Sequence, residues 1–249
     1  MQSFSPDAQG KICLALHKAQ MFTARVRIFQ ASWESVFPRA VPLARVPIEA
    51  VAEELLAALS SAGLTADQIS FIKSNDLYAY ELRFPLFRGN AAFSQNAQRV
   101  RLDFMNAVGP TDITTVIDTI SKCLAPIKFP GGTMHHASVG RQCEFASPGD
   151  FEKFFSPERF EGDLSAVKLA GAILYVSLPD WPSEIVVTLD PSIVIHKGIW
   201  IHTRSSFNLP EEGEEQSAPP KNLMPDALRV LSEVFEKAVS KCNLQLAWP

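Results

Sequence analysis

Segments that alternate apolar and polar residues at period two recur along this chain and restrict its fold more than any other feature. Such alternation makes a strand with one dry and one wet face, so these segments belong on antiparallel sheet covered on one side. Phe22, Ala24, Val26 and Ile28 alternate with Thr23, Arg25 and Arg27. Tyr78, Tyr80, Leu82 and Phe84 stand against Glu81 and Arg83, and Val100, Leu102 and Phe104 against Arg99, Arg101 and Asp103. His135, Ala137, Val139, Arg141 and Cys143 are interleaved with His136, Ser138, Gly140, Gln142 and Glu144. Further strands are expected over 69–73, 172–178 and 184–190, with a hairpin of 192–196 and 199–203 about a turn at Lys197-Gly198.

Helical periodicity supplies the cover. Ile48, Val51, Leu55, Leu56 and Leu59 form one stripe, opened by Pro47 and stopped by Gly63. Ile113, Val116, Ile117 and Ile120 form a second, Phe151–Phe155 a short third. Leu228, Leu231, Val234, Phe235 and Val239 form the last. Two closing helices end in the same tripeptide, Ser121-Lys122-Cys123 and Ser240-Lys241-Cys242. The expected fold is therefore α+β: two related modules, residues 1–128 and 129–249, each a curved antiparallel sheet with helices packed on one face. One continuous globular unit is the alternative. Residues 210–222 are acidic and expected to be a mobile loop.

From Val139-Gly140-Arg141 to Asp150-Phe151-Glu152-Lys153-Phe154-Phe155 the chain resembles a sporadically distributed bacterial family of uncharacterised proteins of about this size. Those chains carry a strand ending near an Arg, then an acidic-aromatic helix. Leu228 to Cys242 looks like that family's closing helix, and the pattern covers the last two-thirds of the chain. The family's strand is richer in Tyr and Arg than His136–Glu144 is here. The resemblance implies no activity, cofactor or catalytic residue. The strand order also looks like a TATA-binding-protein-like or helix-grip-like duplication, an analogy of architecture alone.

Composition narrows function by exclusion. A net charge of -4 argues against non-specific binding to nucleic acid or anionic membrane. Residues 1–130 carry 13 Lys/Arg against 11 Asp/Glu, so a polyanion contact would fall in the first half. Cys13, Cys123, Cys143 and Cys242 show no metal-ligand spacing and read as free thiols in a reducing compartment. The N-terminus reads as no signal peptide, and no apolar run approaches the roughly 18 residues of a membrane span, so a cytosolic protein is expected. His135 and His136 point to opposite strand faces, and His196 and His202 lack partners, so neither a metal nor a cofactor is expected. No nucleophile elbow and no phosphate loop occurs.

The expected function is accordingly non-catalytic: binding a protein or small anionic ligand on exposed sheet faces or in the cleft between modules, with self-association left open. Arg25, Arg27, Arg83, Arg99 and Arg101 are the candidate contacts for an anion or acidic partner, set against the plain alternative of cross-strand ion pairs with Glu81 and Asp103. A small-molecule or enzyme reading needs a pocket between helix and sheet lined by Tyr78, Tyr80 and Phe84. A nucleic-acid reading would use the Arg-rich face of the first module. Trp181, in a turn between prolines, is a candidate exposed contact, as are Trp33 and Trp248.

Overall fold

The computed structural model describes residues 20–40, 48–73, 80–86, 89–107, 115, 118, 122, 129–156, 171–179, 181–208 and 223–248. Its organising element is β1 (Phe22–Val36), fifteen residues of continuous strand. The strand runs well past Phe29, where the simple alternation loses phase. Phe22, Ala24 and Val26 are buried, and then Phe29, Ala31, Trp33 and Ser35. A bulge between Val26 and Ile28 absorbs the odd residue and returns the apolar side to the core. Ile28 is only half-buried as a result.

The other strands are β2 (Ser70–Lys73), β3 (Tyr80–Leu86), β4 (Gly89–Gln95), β5 (Arg99–Ala107), β6 (Met134–Phe145), β7 (Ala172–Val176), β8 (Ile185–Pro191), β9 (Gly198–Asn208) and β10 (Leu244–Ala247). They form a single ten-stranded sheet in the order β2-β3-β4-β5-β1-β6-β9-β8-β7, with β10 alongside the start of β1. Every ladder is antiparallel except β1 with β10.

The expected pair of helix-backed modules is therefore incorrect. The physical reason is the reach of β1: it pairs with β5 through Val36 and with β6 from Ala24 to Val36, so both of its edges are saturated by strands from either side of residue 128. A continuous ladder leaves no seam at which separate sheets could end. Of the repeated tripeptide, Ser121 and Cys123 lie outside the described residues, and Ser240-Lys241-Cys242 closes the last helix. The second hairpin also differs: β8 runs to Pro191, and Ser192–His196 is the turn, its start held by Ser192 Oγ accepting from the Val194 and Ile195 amides.

One sheet face is covered. α1 (Ile48–Leu59) buries Val51, Leu55 and Leu59 in the same core as the inward sheet residues, and Gly63 ends the segment at φ 86, a value that suits glycine. α2 (Asp150–Phe154) sets Phe154 edge-on to Phe22, and α3 (Leu223–Lys241) packs on β6, β8 and β9 through Leu228, Leu231, Phe235 and Val239. Thr115, Asp118 and Lys122 are helical, while the stripe Ile113, Val116, Ile117 and Ile120 lies outside the described residues. So does the 210–222 loop. Under α3 the guanidinium of Arg141 is 2% exposed, 3.9 Å from the Phe235 ring centroid and 5.0 Å from that of Trp248, and donates to Glu236 at 2.6 Å. That sandwich ties β6 to the last helix and to Trp248, the residue after β10.

If β6 depends on β1, residues 129–249 expressed alone will show no cooperative urea transition by far-UV circular dichroism, whereas the full chain unfolds in one. A fragment with its own sharp transition would contradict the single-sheet account.

Candidate functional site

The opposite face carries no described helix. At its centre, cross-strand register places side chains in rows. One row runs Arg101, Glu34, His136, Ser206 across β5, β1, β6 and β9. The next runs Asp103, Ser32, Ser138, Arg204, Val186, Tyr175 and so reaches the edge strand β7. The middle of these rows lines a concavity of about 680 Å³ that extends from Arg101 to Glu184 and Val186, with Asp103 and Tyr175 beyond its two ends. Inside it Ser32 Oγ and Ser138 Oγ are 2.7 Å apart, and His136 Nδ1 is 2.7 Å from Ser206 Oγ. Directly opposed side chains on neighbouring strands start about 5 Å apart. The hydroxyls and the imidazole can therefore share a ligand.

All five predicted arginines lie on this face, but they are not pooled. Arg27 is bonded to Glu144, and Arg83 to Glu81 at 2.5 Å. Arg99 reaches Glu34 at 3.4 Å, and Arg101 grips Asp103 at 2.6 and 2.9 Å. The neighbouring carboxylate raises the already high pKa of Arg83 and of Arg101 further. Arg25 makes no such pair among the described residues and lies with Arg27 and Glu144 at a separate depression of about 280 Å³. Exposed pairs of this kind contribute about 0–1 kcal/mol each, so they matter less for stability than for neutralising the face. Only Arg101 of the five borders the central concavity.

Two imidazoles are held neutral for different reasons. His202, at the wall of the concavity, stacks on Trp200 at 5.0 Å and 16°; burial, then the nearby Arg204 charge, push its pKa down to about 4. Gly140 makes room for that pair, since a Cβ there would lie 3.3 Å from His202 Cδ2 and 3.5 Å from Trp200 Nε1. His135 faces the core among Trp33, Phe129 and Phe207, and burial, aided by His136, lowers its pKa to about 4. Trp33 Nε1 donates to Ser35 Oγ at 2.8 Å, and the same hydroxyl is hydrogen-bonded to His135 Nδ1 at 2.9 Å, with the donor set by the imidazole tautomer.

The tryptophan contacts are corrected by the same packing. Trp33 is fully buried. Trp181 is 8% exposed, donates to Ser205 Oγ at 2.9 Å and stands edge-on to Phe207 at 5.5 Å. Its backbone N–H also donates to Leu178 O at 3.2 Å. Trp248 is half-buried over Arg141. Of the candidate pocket, Tyr78 lies outside the described residues. Phe84 is 2% exposed and edge-on to Phe104, and the Tyr80 hydroxyl donates to Gln95, with burial raising its pKa.

Among the described residues, no group of three or more His, Cys, Asp or Glu is placed to hold a metal, and no helix is long and apolar enough to cross a membrane. Ser206 and His136 form a serine–histidine contact, but Glu34, in register beside His136, accepts from Arg99. Among the described residues His136 has no hydrogen bond from its other ring nitrogen to a carboxylate, the contact that orients the base of a nucleophilic triad. The arrangement suits binding by hydrogen bonds and charge.

Ser32, Glu34, Ser138, Arg204 and Ser206 were not singled out from the sequence. The signal was present in continued alternation: Ile199, Ile201, Thr203, Ser205 and Phe207 are inward, and Trp200, His202, Arg204 and Ser206 outward. Ending that strand at Thr203 and the first at Phe29 removed Ser32, Glu34, Arg204 and Ser206 from view, whereas Ser138 lay inside an expected strand and was read only as one of its wet-face residues.

With folded pKa values of about 4 against 6.5, His135 and His202 bind protons more readily in the unfolded chain. Stability is then complete above about pH 6.5 and is lost as pH falls toward 4. His202→Phe, which keeps a ring against Trp200, is expected to shrink the loss between pH 7 and 5 by on the order of 1–2 kcal/mol in urea unfolding; an unchanged loss would contradict this. No protein-family model and no curated protein matches the chain, so its function is argued from this geometry.

Proposed function

We propose that this is a non-catalytic binding protein that takes its ligand in the concavity on the open face of the sheet, across β5, β1, β6, β9 and β8. The observation that carries this reading is the contrast between the two faces at the same strands. Trp33, Ala137, Val139 and Ile201 close one side into packed core. Ser32, Glu34, His136, Ser138 and Arg204 leave the other open, polar and concave. A volume of about 680 Å³ is of the size that holds a small ligand. Its side chains stand on central strands saturated on both edges, and rigid elements position groups better than loops do.

The charge balance favours this over a nucleic-acid role. On the strands of this face Arg27, Arg83, Arg99 and Arg101 are paired with Glu144, Glu81, Glu34 and Asp103, which leaves two arginines, Arg25 and Arg204, without an ion pair among the described residues. A backbone-tracking surface needs uncompensated cations. The buried free thiol of Cys143 fits a reducing, cytosolic setting.

The test is a photo-crosslinking amino acid at Val186, on the groove wall, against one at Glu53, on α1. Adducts are expected at position 186 in cells, absent at 53, and lost when Ser138→Trp fills the groove without lowering the melting temperature. Equal labelling at both positions, or adducts that survive Ser138→Trp, would overturn the reading.

A further inference from the structure

We propose that the groove takes a small amphipathic anion: its carboxylate or phosphate rests on Arg204 beside the Ser32–Ser138 hydroxyl pair, and its apolar part lies along Val186 and Tyr175. This rests on the groove being the binding site and adds the chemical class of the molecule that fills it.

The first ground is the state of Arg204. Arg27, Arg83, Arg99 and Arg101 each have a carboxylate within ion-pair distance. Arg204 has none among the described residues, and it stands in register between Ser138 on β6 and Val186 on β8. A guanidinium with a free fork is a preformed seat for an oxyanion, which it can meet with two parallel N–H bonds.

The second ground is the donor count. Ser32 and Ser138 bring two hydroxyl protons, and the 2.7 Å contact between their oxygens uses one. The other remains free to donate to a ligand. The carboxylates that would repel an anion from this side, Glu34 and Asp103, are occupied by Arg99 and Arg101. Glu184 also lines the concavity, is exposed, and has no cationic partner among the described residues. It disfavours an anion at the rim and so directs the oxyanion inward, toward Ser138.

The third ground is the continuation of the row beyond Arg204. Val186 comes next, then Tyr175 at 64% exposure, with Ile173 at 47% exposure two residues away on the same side of β7. An exposed aromatic and an exposed aliphatic beside an uncompensated guanidinium match a ligand that is charged at one end and apolar at the other. A purely polar ligand would leave those side chains in water, and a purely apolar one would leave Arg204 desolvated without a partner.

Calorimetric titration of the full chain with acetate, phenylacetate, inorganic phosphate and phenyl phosphate tests this. The phenyl-bearing anions are expected to bind at least about threefold tighter than their small counterparts, and the stronger of the two pairs identifies the headgroup. Arg204→Gln is expected to weaken binding about tenfold, and Arg25→Gln, an exposed arginine elsewhere on the face, to leave it unchanged. Tyr175→Ser should remove only the advantage of the phenyl group. The inference is overturned if none of the four anions binds, or if Arg204→Gln has no effect or no more than Arg25→Gln. It is also overturned if Tyr175→Ser alters the sedimentation coefficient rather than the affinity, which would make that strip a contact between copies. Ser138→Trp separates the two levels. Binding that survives it removes the groove as the site, whereas binding abolished by it but indifferent to Arg204→Gln leaves the groove and removes the anion seat.

Discussion

The ladder between β1 and β6, from Ala24–Phe145 to Val36–Met134, is the interaction on which the rest depends. Both strands are long, and each is paired again on its other edge, β1 by β5 and β10, β6 by β9. Their backbone groups therefore have nowhere else to bond without dismantling the sheet. Apart from β10, which pairs with the start of β1, strands from the first half are laid out on one side of this ladder and strands from the second on the other. The helices then have a single surface to cover, and the opposite surface is left as one continuous field of side chains.

That division assigns chemistry to the two faces. On the covered side even the polar groups serve packing. His135 is kept neutral among three aromatic rings, and Arg141 is held between Phe235 and Trp248 with Glu236 as its counter-ion. Burying a guanidinium is costly unless it is paired, and ring faces with one carboxylate supply that. On the open side Arg27, Arg83, Arg99 and Arg101 are matched to carboxylates, Arg25 stands at a separate depression, and the centre is left chiefly to hydroxyls, His136 and Arg204.

Much of the strand content was legible because half-buried strands print their period on the sequence. The alternations around Val100–Phe104 and His135–Glu144 stand as β5 and β6, and the stripes Val51–Leu59 and Leu228–Val239 as α1 and α3. What failed had local causes. The Val26–Ile28 bulge broke the phase of β1 and hid the stretch from Gln30 to Val36. β4, Gly89–Gln95, opens on Gly89-Asn90, residues that suggest a turn, and β10 is four residues long. The prolines around Trp181 suggested exposure, whereas its indole closes a hydrogen bond in the core. Pairing between distant strands leaves no mark in either strand's own pattern, so one sheet could not be told from two. Glu81 and Asp103 were named as arginine partners, but they pair with Arg83 and Arg101 two residues away on the same strand rather than across strands. Glu144 and Glu34, which meet Arg27 and Arg99 from neighbouring strands, were not legible, because period gives the side and only register gives the neighbour.

Amide hydrogen exchange along β1 tests the central claim most directly. If the sheet is a single cooperative body, the ladder amides of residues 29–36 exchange only through global unfolding, with the same opening free energy as those of residues 135–143 on β6. Two separate protection levels, with β1 and β5 opening together while β6 and β9 stay closed, would contradict it.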